Sequence, residues 1–285
     1  MLNMGKKRIL YVSQEISPYT KENKRSNFCM NLPQVVQEND NDIRIFMPKF
    51  GTINERRHQL HEVIRLSGMN LIIDDFDHQL IIKVASVQQS RMQVYFIDNE
   101  EYFPKRHYLN DPEGNFMQNN DERMMFFCKG VIETVKKLGW APDIIHCNGW
   151  FSALVPMYIK KLYNKDPMFA NTKIYYTVFD NPFKGDLNNS LSEKLLFEDL
   201  QDKDVEMIGN PTFDNLNKFA ISYSDAVVQG SKKLSKNLLN FIKNNNIPVL
   251  VKIDDDNFEE QCLSFYDSTE KAKKTKKNNQ LVEVA

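Results

Sequence analysis

Four side chains near the predicted ends of strands could bind or convert a ligand. Lys21 lies in the loop after the first predicted strand, and Asp180 follows a later one. His146 ends a strand between these two, and Trp150 comes shortly after it. Because the carboxyl ends of strands in an open parallel sheet meet at one edge, these four residues are predicted to line one crevice. A cation, an aromatic face and a carboxylate favour a neutral sugar over a diphosphate as ligand.

Each of these residues also has a structural interpretation. Lys21 belongs to a charged loop and fits an ordinary surface lysine. His146 and Trp150 fit buried positions at a strand end and in the core. The residue types alone leave both interpretations open.

Other chemistries lack their usual patterns. The sequence has no G-x-S-x-G motif, no P-loop and no cluster with metal-ligand spacing, so neither a cofactor nor a metal is expected. His58 and His61 lie beside two arginines, which is typical of a solvated face. The formal net charge of −1 argues against nucleic acid as a partner. The isolated cysteines, the absence of a signal-peptide pattern and the absence of a membrane-spanning stretch predict a soluble, cytoplasmic protein.

The hydrophobic pattern predicts a Rossmann-like α/β fold with a doubly wound parallel sheet. Apolar runs with strand character alternate with segments of helical period. The predicted strands are Lys7–Ser13, Asp42–Pro48, Asp143–Cys147, Lys173–Val178, Asp225–Gln229 and Pro248–Ile253. The predicted helices are Asn31–Glu38, Asp121–Leu138, Ser152–Tyr163, Leu191–Leu200, Asp214–Tyr223 and Ser231–Asn244.

Two regions depart from this alternation. Short β-branched runs between Leu60 and Ile97 predict a small antiparallel β insertion. The lysine-rich run Lys271–Lys277 has few apolar residues. One domain is therefore expected over residues 1–266, followed by a disordered charged tail over residues 267–285.

Several motifs resemble those of bacterial glycogen and starch synthases that use ADP-glucose. The matches keep one order along the chain and run from about residue 8 to residue 242. They are the stretches Ser13–Pro33 (SQEISPYTKENKRSNFCMNLP), Ile43–Gly51 (IRIFMPKFG), Val94–Phe103 (VYFIDNEEYF), Asn119–Phe127 (NNDERMMFF), Leu138–Leu154 (LGWAPDIIHCNGWFSAL), Thr177–Gly185 and Leu216–Ser231.

The resemblance implies the N-terminal half of a GT-B glycosyltransferase, whose active site lies between two Rossmann-like domains. The residues after the last match are too few for a second such domain, so the chain is expected to lack it. An apolar patch is then expected near residues 179–220, with Phe179, Phe183 and Phe213, on the face that would meet that domain. A protein partner or a homo-oligomer would cover this patch.

Positions that carry polar chemistry in the family are altered here. Asn23 and Lys24 stand where the family has two glycines, and their Cβ atoms are expected to obstruct a close approach to donor phosphates. Phe179 stands where the resemblance places a histidine that contacts the donor sugar. The second histidine and the aspartate of the family motif H-x-H-D-W become Asn148 and Gly149.

Three hypotheses for the function follow. The first is a glycogen-synthase-like protein that binds α-glucan or a protein partner without transferring glucose on its own. The small ligands considered are α-glucan and ADP-glucose. The second is an active ADP-glucose glucosyltransferase that a separate donor-binding polypeptide completes. The third is a scaffold without a ligand.

Overall fold

A ten-stranded, mostly parallel sheet forms the centre of the computed structural model, which describes residues 6–87, 90, 92–185, 187–252 and 257–269. The spatial order of the strands is β10-β9-β8-β7-β1-β2-β6-β5-β3, and β4 pairs with β5. Their bounds are β1 Arg8–Ser13, β2 Asp42–Pro48, β3 His61–Glu62, β4 Met69–Ile73, β5 Phe76–Ser86, β6 Gln93–Asp98, β7 Ile144–Asn148, β8 Lys173–Val178, β9 Ala226–Gln229 and β10 Val249–Val251.

Strand β1 lies at the centre of the sheet, and five of its six residues are fully buried. It pairs in parallel with β2 on one side and with β7 on the other. The order of strands along the chain reverses between β1 and β7. Ligands of open α/β sheets bind at such a reversal, outside the carboxyl ends of the strands.

Helices cover both faces of the sheet, as a doubly wound fold requires. Their bounds are α1 Lys24–Glu38, α2 Asn120–Lys137, α3 Val155–Lys161, α4 Leu191–Leu196, α5 Asp202–Val205, α6 Phe213–Ser222, α7 Lys236–Asn244 and α8 residues 258–269. Helix α3 contacts both α2 and α6, and α6 also contacts α7. The connection from β1 to β2 runs towards one edge of the sheet, and the connections from β6 to β7 and from β7 to β8 run towards the other. Because such crossovers are right-handed, α1 lies on one face and these helices lie on the other. In the described part of the chain, no helix has the length and apolar character to cross a membrane.

The structure confirms the predicted fold class and corrects several details. The antiparallel insertion is smaller than expected, because β3 has only two residues and β6 also pairs in parallel with β2. Helix α1 begins at Lys24, seven residues earlier than predicted. The Asn23 side chain accepts hydrogen bonds from the backbone N–H groups of Arg25 and Ser26, and so caps the helix.

Helix α8 was not predicted, and it covers part of the face on which α1 lies. Its Phe258 ring packs 5.3 Å from the ring of Phe28 in α1. Its Tyr266 hydroxyl lies 2.5 Å from His146 Nδ1 and 3.4 Å from the Tyr11 hydroxyl. The helix extends to residue 269, beyond the expected domain boundary at residue 266. The lysine-rich run Lys271–Lys277 lies outside the described residues, so the expected disordered tail stays a prediction.

The substitution Tyr266→Phe is expected to lower the free energy of unfolding by about 1–3 kcal/mol, because it leaves a buried imidazole nitrogen without a partner. Urea denaturation monitored by circular dichroism measures this change. Ser268→Ala, which removes an exposed hydroxyl from the same helix, is the matched control and should change little. Equal unfolding free energies for both variants would contradict the account of how α8 docks.

Candidate functional site at the carboxyl edge of the sheet

A cavity of about 480 Å³ opens at the carboxyl ends of the strands. We call it the cationic cavity, and its lining residues are Asn23, Lys24, Arg25, Asp180, Gly230, Ser231, Lys232, Lys233 and Lys252. These residues come from the start of α1 and from the segments that follow β8, β9 and β10. The cavity therefore forms where the fold predicts a ligand site.

The first wall of the cationic cavity is a loop held by internal hydrogen bonds. Glu15 is buried, and one of its carboxylate oxygens accepts a hydrogen bond of 2.6 Å from Arg25 Nε. The other oxygen accepts one of 2.9 Å from Asn23 Nδ2. Asn23 has an extended backbone, with φ of −159°, so this loop does not need the glycine-like conformation that the family motif suggested.

Positive charge dominates the lining. Among the described residues of the lining are four lysines, Lys24, Lys232, Lys233 and Lys252, and one carboxylate, Asp180. Arg25 pairs with Glu15, and Lys24 and Lys252 interact with other groups, so the positive charge of the lining rests on Lys232 and Lys233. Within the part of the chain that the structure describes, no carboxylate lies within ion-pair distance of Lys232 or Lys233. The positive end of the α1 dipole adds to this field, because the first residues of α1 line the cavity. This lining differs from the cation, aromatic face and carboxylate on which the expectation of a neutral sugar was based.

Phe179 closes the interior beneath the cavity. The ring is 3% exposed and packs edge-on to Phe28 at 5.9 Å. A Cβ atom added to Gly230 would lie only 2.4 Å from Phe179 Cε1, so the ring fits because residue 230 is glycine. Phenylalanine carries no hydrogen-bonding group. This position therefore supplies neither a donor nor an acceptor to the cavity.

His146 lies within the sheet and does not line the cationic cavity. The side chain is fully buried, with Nδ1 at 2.5 Å from the Tyr266 hydroxyl and Nε2 at 2.5 Å from Thr177 Oγ1. Burial lowers the pKa of His146 to about 3, so the imidazole is neutral at physiological pH. Its role in this arrangement is to join β7, β8 and α8.

Trp150 is also enclosed. Its side chain is 1% exposed, and the ring of Phe183 covers it at a centroid distance of 4.8 Å. Phe183 in turn stacks on Phe116 at 5.5 Å. As placed here, the indole cannot present a face to a sugar in the cavity.

The four predicted site residues therefore do not line one crevice. Asp180 lines the cationic cavity, whereas Lys21 is exposed nearby and does not line it. His146 and Trp150 are buried for the reasons above. The prediction missed Lys232, Lys233 and Lys252, although the strand-end argument, if applied to β9 and β10 as well, would have found them.

The expected apolar patch is wrong for Phe179, which is buried. Phe183 and Phe213 are half-buried and pack on each other at 5.9 Å. In residues 179–220 the exposed large apolar side chain is Phe197, at 66% exposure. The expected partner or oligomer stays a prediction.

Two buried acceptors lie at the β1–β7 junction. Gln14 Oε1 and Asn148 Oδ1 have no hydrogen-bond partner among the described residues. Gly149 lies beside Gln14 with φ of +81°, a conformation that suits glycine. Among the described residues, no three His, Cys, Asp or Glu side chains form a group that could hold a metal ion.

Comparisons with known proteins agree with this fold. The model of the family "Starch synthase catalytic domain" matches residues 8–253. The chain belongs to this family. It is 38% identical to the glycogen synthase of Chlorobium luteolum over 194 residues, which are 68% of this chain and 40% of that protein. It is 34% identical to the glycogen synthase of Chlorobaculum parvum over 232 residues, which are 81% of this chain and 47% of that protein.

The chain thus spans less than half the length of these curated relatives. Among solved structures, the catalytic domain of starch synthase IV from Arabidopsis thaliana, bound to ADP and acarbose, superposes with a TM-score of 0.68. The sequence identity is 20%, and the match covers 86% of this chain and 52% of that chain. This similarity supports the GT-B Rossmann-like fold.

The buried, neutral state of His146 predicts a pH-dependent contribution to stability. Below a pH of about 6.5 the unfolded chain protonates this histidine, whereas the folded protein does so only near the lowered pKa. Stability is therefore lost as pH falls from about 6.5 towards 3, by about 1.4 kcal/mol per pH unit, and this group adds no dependence at higher pH.

Urea denaturation of the wild type and of His146→Gln over this pH range tests the prediction. Glutamine does not titrate, so the difference in unfolding free energy between the two proteins should grow with pH and level off above a pH of about 6.5. A difference that does not vary with pH would contradict the placement of a neutral histidine in the sheet.

Proposed function

We propose that this member of the starch synthase family acts in α-glucan metabolism by binding a nucleoside diphosphate or its sugar, such as ADP-glucose, without transferring glucose by itself. The observation that carries the proposal is the charge of the cationic cavity. Lys232 and Lys233, which have no carboxylate within ion-pair distance among the described residues, line a space at the edge where this fold binds ligands.

A diphosphate matches this lining better than a neutral ligand does. Lys232 and Lys233 lie in the segment after β9 and carry ammonium groups that can contact phosphate oxygens. The start of α1 adds the positive end of the helix dipole, whereas the N–H groups of Arg25 and Ser26 already donate to Asn23. The Arabidopsis neighbour is described as bound to ADP, and the curated relatives are named glycogen synthases, which supports this choice of nucleotide and pathway.

The absence of transfer is proposed from the residues that occupy the site. Glucosyl transfer needs preorganised groups that stabilise the charge developing in the transition state. Phe179 fills the position where the family resemblance places a histidine, and it has no polar atom to offer. His146 is neutral, enclosed and already hydrogen-bonded on both ring nitrogens.

An active glucosyltransferase completed by a separate polypeptide is the second candidate. The observation in its favour is that the cationic cavity opens to solvent at the sheet edge, where another surface could close it. The cytoplasm is the proposed location, because all four cysteines are unpaired and buried. If no nucleotide binds, the ligand-free scaffold remains.

The double substitution Lys232→Ala/Lys233→Ala is expected to weaken ADP binding about 10- to 100-fold, because it removes two contacts to phosphate of about 0.7–1.4 kcal/mol each. Isothermal titration calorimetry of the full chain measures this. Added salt should weaken binding to the wild type, since the lining is exposed.

The matched control for this prediction is Lys165→Ala/Lys203→Ala. It makes the same change in net charge at exposed sites outside the cationic cavity. It should leave the ADP affinity within about twofold of the wild type. The proposed nucleotide site would be overturned if the wild type bound no detectable ADP. It would also be overturned if both double variants lost ADP affinity equally.

A further inference from the structure

The segment between β9 and α7 carries the two lysines on which the charge of the cationic cavity rests. Lys232 and Lys233 belong to residues 230–233, which form neither helix nor strand and which we call the lysine turn. The position of both ammonium groups therefore depends on how the backbone of this turn is held. A backbone that is free to move must be ordered when a ligand binds, and this cost lowers the affinity.

Gln229 is the last residue of β9, and its side chain holds the lysine turn. Its Nε2 donates a hydrogen bond of 3.0 Å to the carbonyl oxygen of Ser231 and makes a longer contact of 3.5 Å with that of Lys232. The residue is 7% exposed and does not line the cationic cavity. Gln229 therefore bonds to the backbone of the turn without contributing its own atoms to the lining.

The backbone of Gln229 is itself fixed by the sheet. Strand β9 lies between β8 and β10, and Gln229 pairs with Val178 on one side and with Val251 on the other. Its carbonyl oxygen accepts a hydrogen bond of 3.3 Å from the backbone N–H of Lys252, another residue of the cavity lining. The carboxamide is thus attached to a rigid element, as the accurate placement of binding groups requires.

Two other hydrogen bonds fix the start of the lysine turn. The backbone N–H of Gly230 donates to the carbonyl oxygen of Val178 at 2.9 Å. The backbone N–H of Asp180 donates to Ser231 Oγ, also at 2.9 Å. Neither bond extends past residue 231. Within the described residues, the Gln229 carboxamide is the group that reaches the backbone of Lys232.

We propose that Gln229 is a positioning residue of the cationic cavity, because its buried carboxamide holds the backbone that carries Lys232 and Lys233 in one arrangement for a diphosphate. The proposal rests on the proposed function, since it concerns the affinity of the same site. A turn that is already held in one conformation has less backbone freedom to lose when a ligand binds. Removal of the carboxamide therefore weakens binding, although no atom of the lining is removed.

The test measures the ADP affinity of the full chain by isothermal titration calorimetry, and thermal melting verifies folding. Gln229→Met keeps the length of the side chain and removes its hydrogen-bond donor. Gln229→Asn keeps a carboxamide that is one methylene shorter, so it withdraws the donor from both carbonyl oxygens, and it serves if Gln229→Met does not fold. Asn41→Leu is the matched control, because Asn41 Nδ2 also donates to two backbone carbonyl oxygens, those of Val36 and Asn39, beyond the far end of α1.

Both Gln229 variants are expected to bind ADP about three- to tenfold more weakly, whereas Asn41→Leu should stay within about twofold of the wild type. A double-mutant cycle separates positioning from a general structural role. In the Lys232→Ala/Lys233→Ala background, Gln229→Met should cause no further loss of ADP affinity, because the groups that it positions are gone.

The inference is overturned if the folded Gln229 variants bind ADP as the wild type does, or if Asn41→Leu loses affinity equally. It is also overturned if Gln229→Met causes the same loss in the Lys232→Ala/Lys233→Ala background as in the wild type. In each of these cases the wild type still binds ADP, so the nucleotide site of the proposed function survives. If the wild type binds no ADP, the proposed function fails and the inference fails with it.

Discussion

The packing of Phe179 at the end of β8 determines how the carboxyl edge of the sheet is built. Its ring lies against Gly230 after β9, Phe28 of α1 and the turn at Gly149 after β7. An aromatic ring with no polar atom therefore holds together the segments that would otherwise surround an open crevice. Because the interior is filled, polar chemistry is confined to the outer lining, where the lysines of the cationic cavity stand.

Burial and exposure divide the polar residues of this edge into two roles. His146 is sealed from water, neutral and bonded to Tyr266 and Thr177, so it stabilises the sheet and helix α8. Lys232 and Lys233 are exposed and can attract an anion. Contacts of exposed charges are screened by salt, so such a site binds phosphate groups with modest affinity unless other surfaces enclose it.

Local patterns predicted the sheet well because buried parallel strands appear as apolar runs and amphipathic helices keep their period. Local patterns failed where contacts between distant parts of the chain determine which side chains are buried. The burial of His146 depends on Tyr266, 120 residues later in the chain, and no local signal indicated that α8 would cover this face. Similarly, Trp150 is covered by Phe183 from the loop after β8. Asp180 does line the cationic cavity, because its position depends on where the backbone leaves β8.

The central claim is that the chain binds a nucleotide sugar at its sheet edge without transferring the sugar. Incubation of the purified chain with radiolabelled ADP-glucose and glycogen tests it most directly, with a heat-killed sample as background. The account predicts no incorporation of glucose above that background, while the same preparation binds ADP. Incorporation above background that Lys232→Ala/Lys233→Ala abolishes and Lys165→Ala/Lys203→Ala leaves intact would contradict it, because the cationic cavity would then be the site of a working transferase.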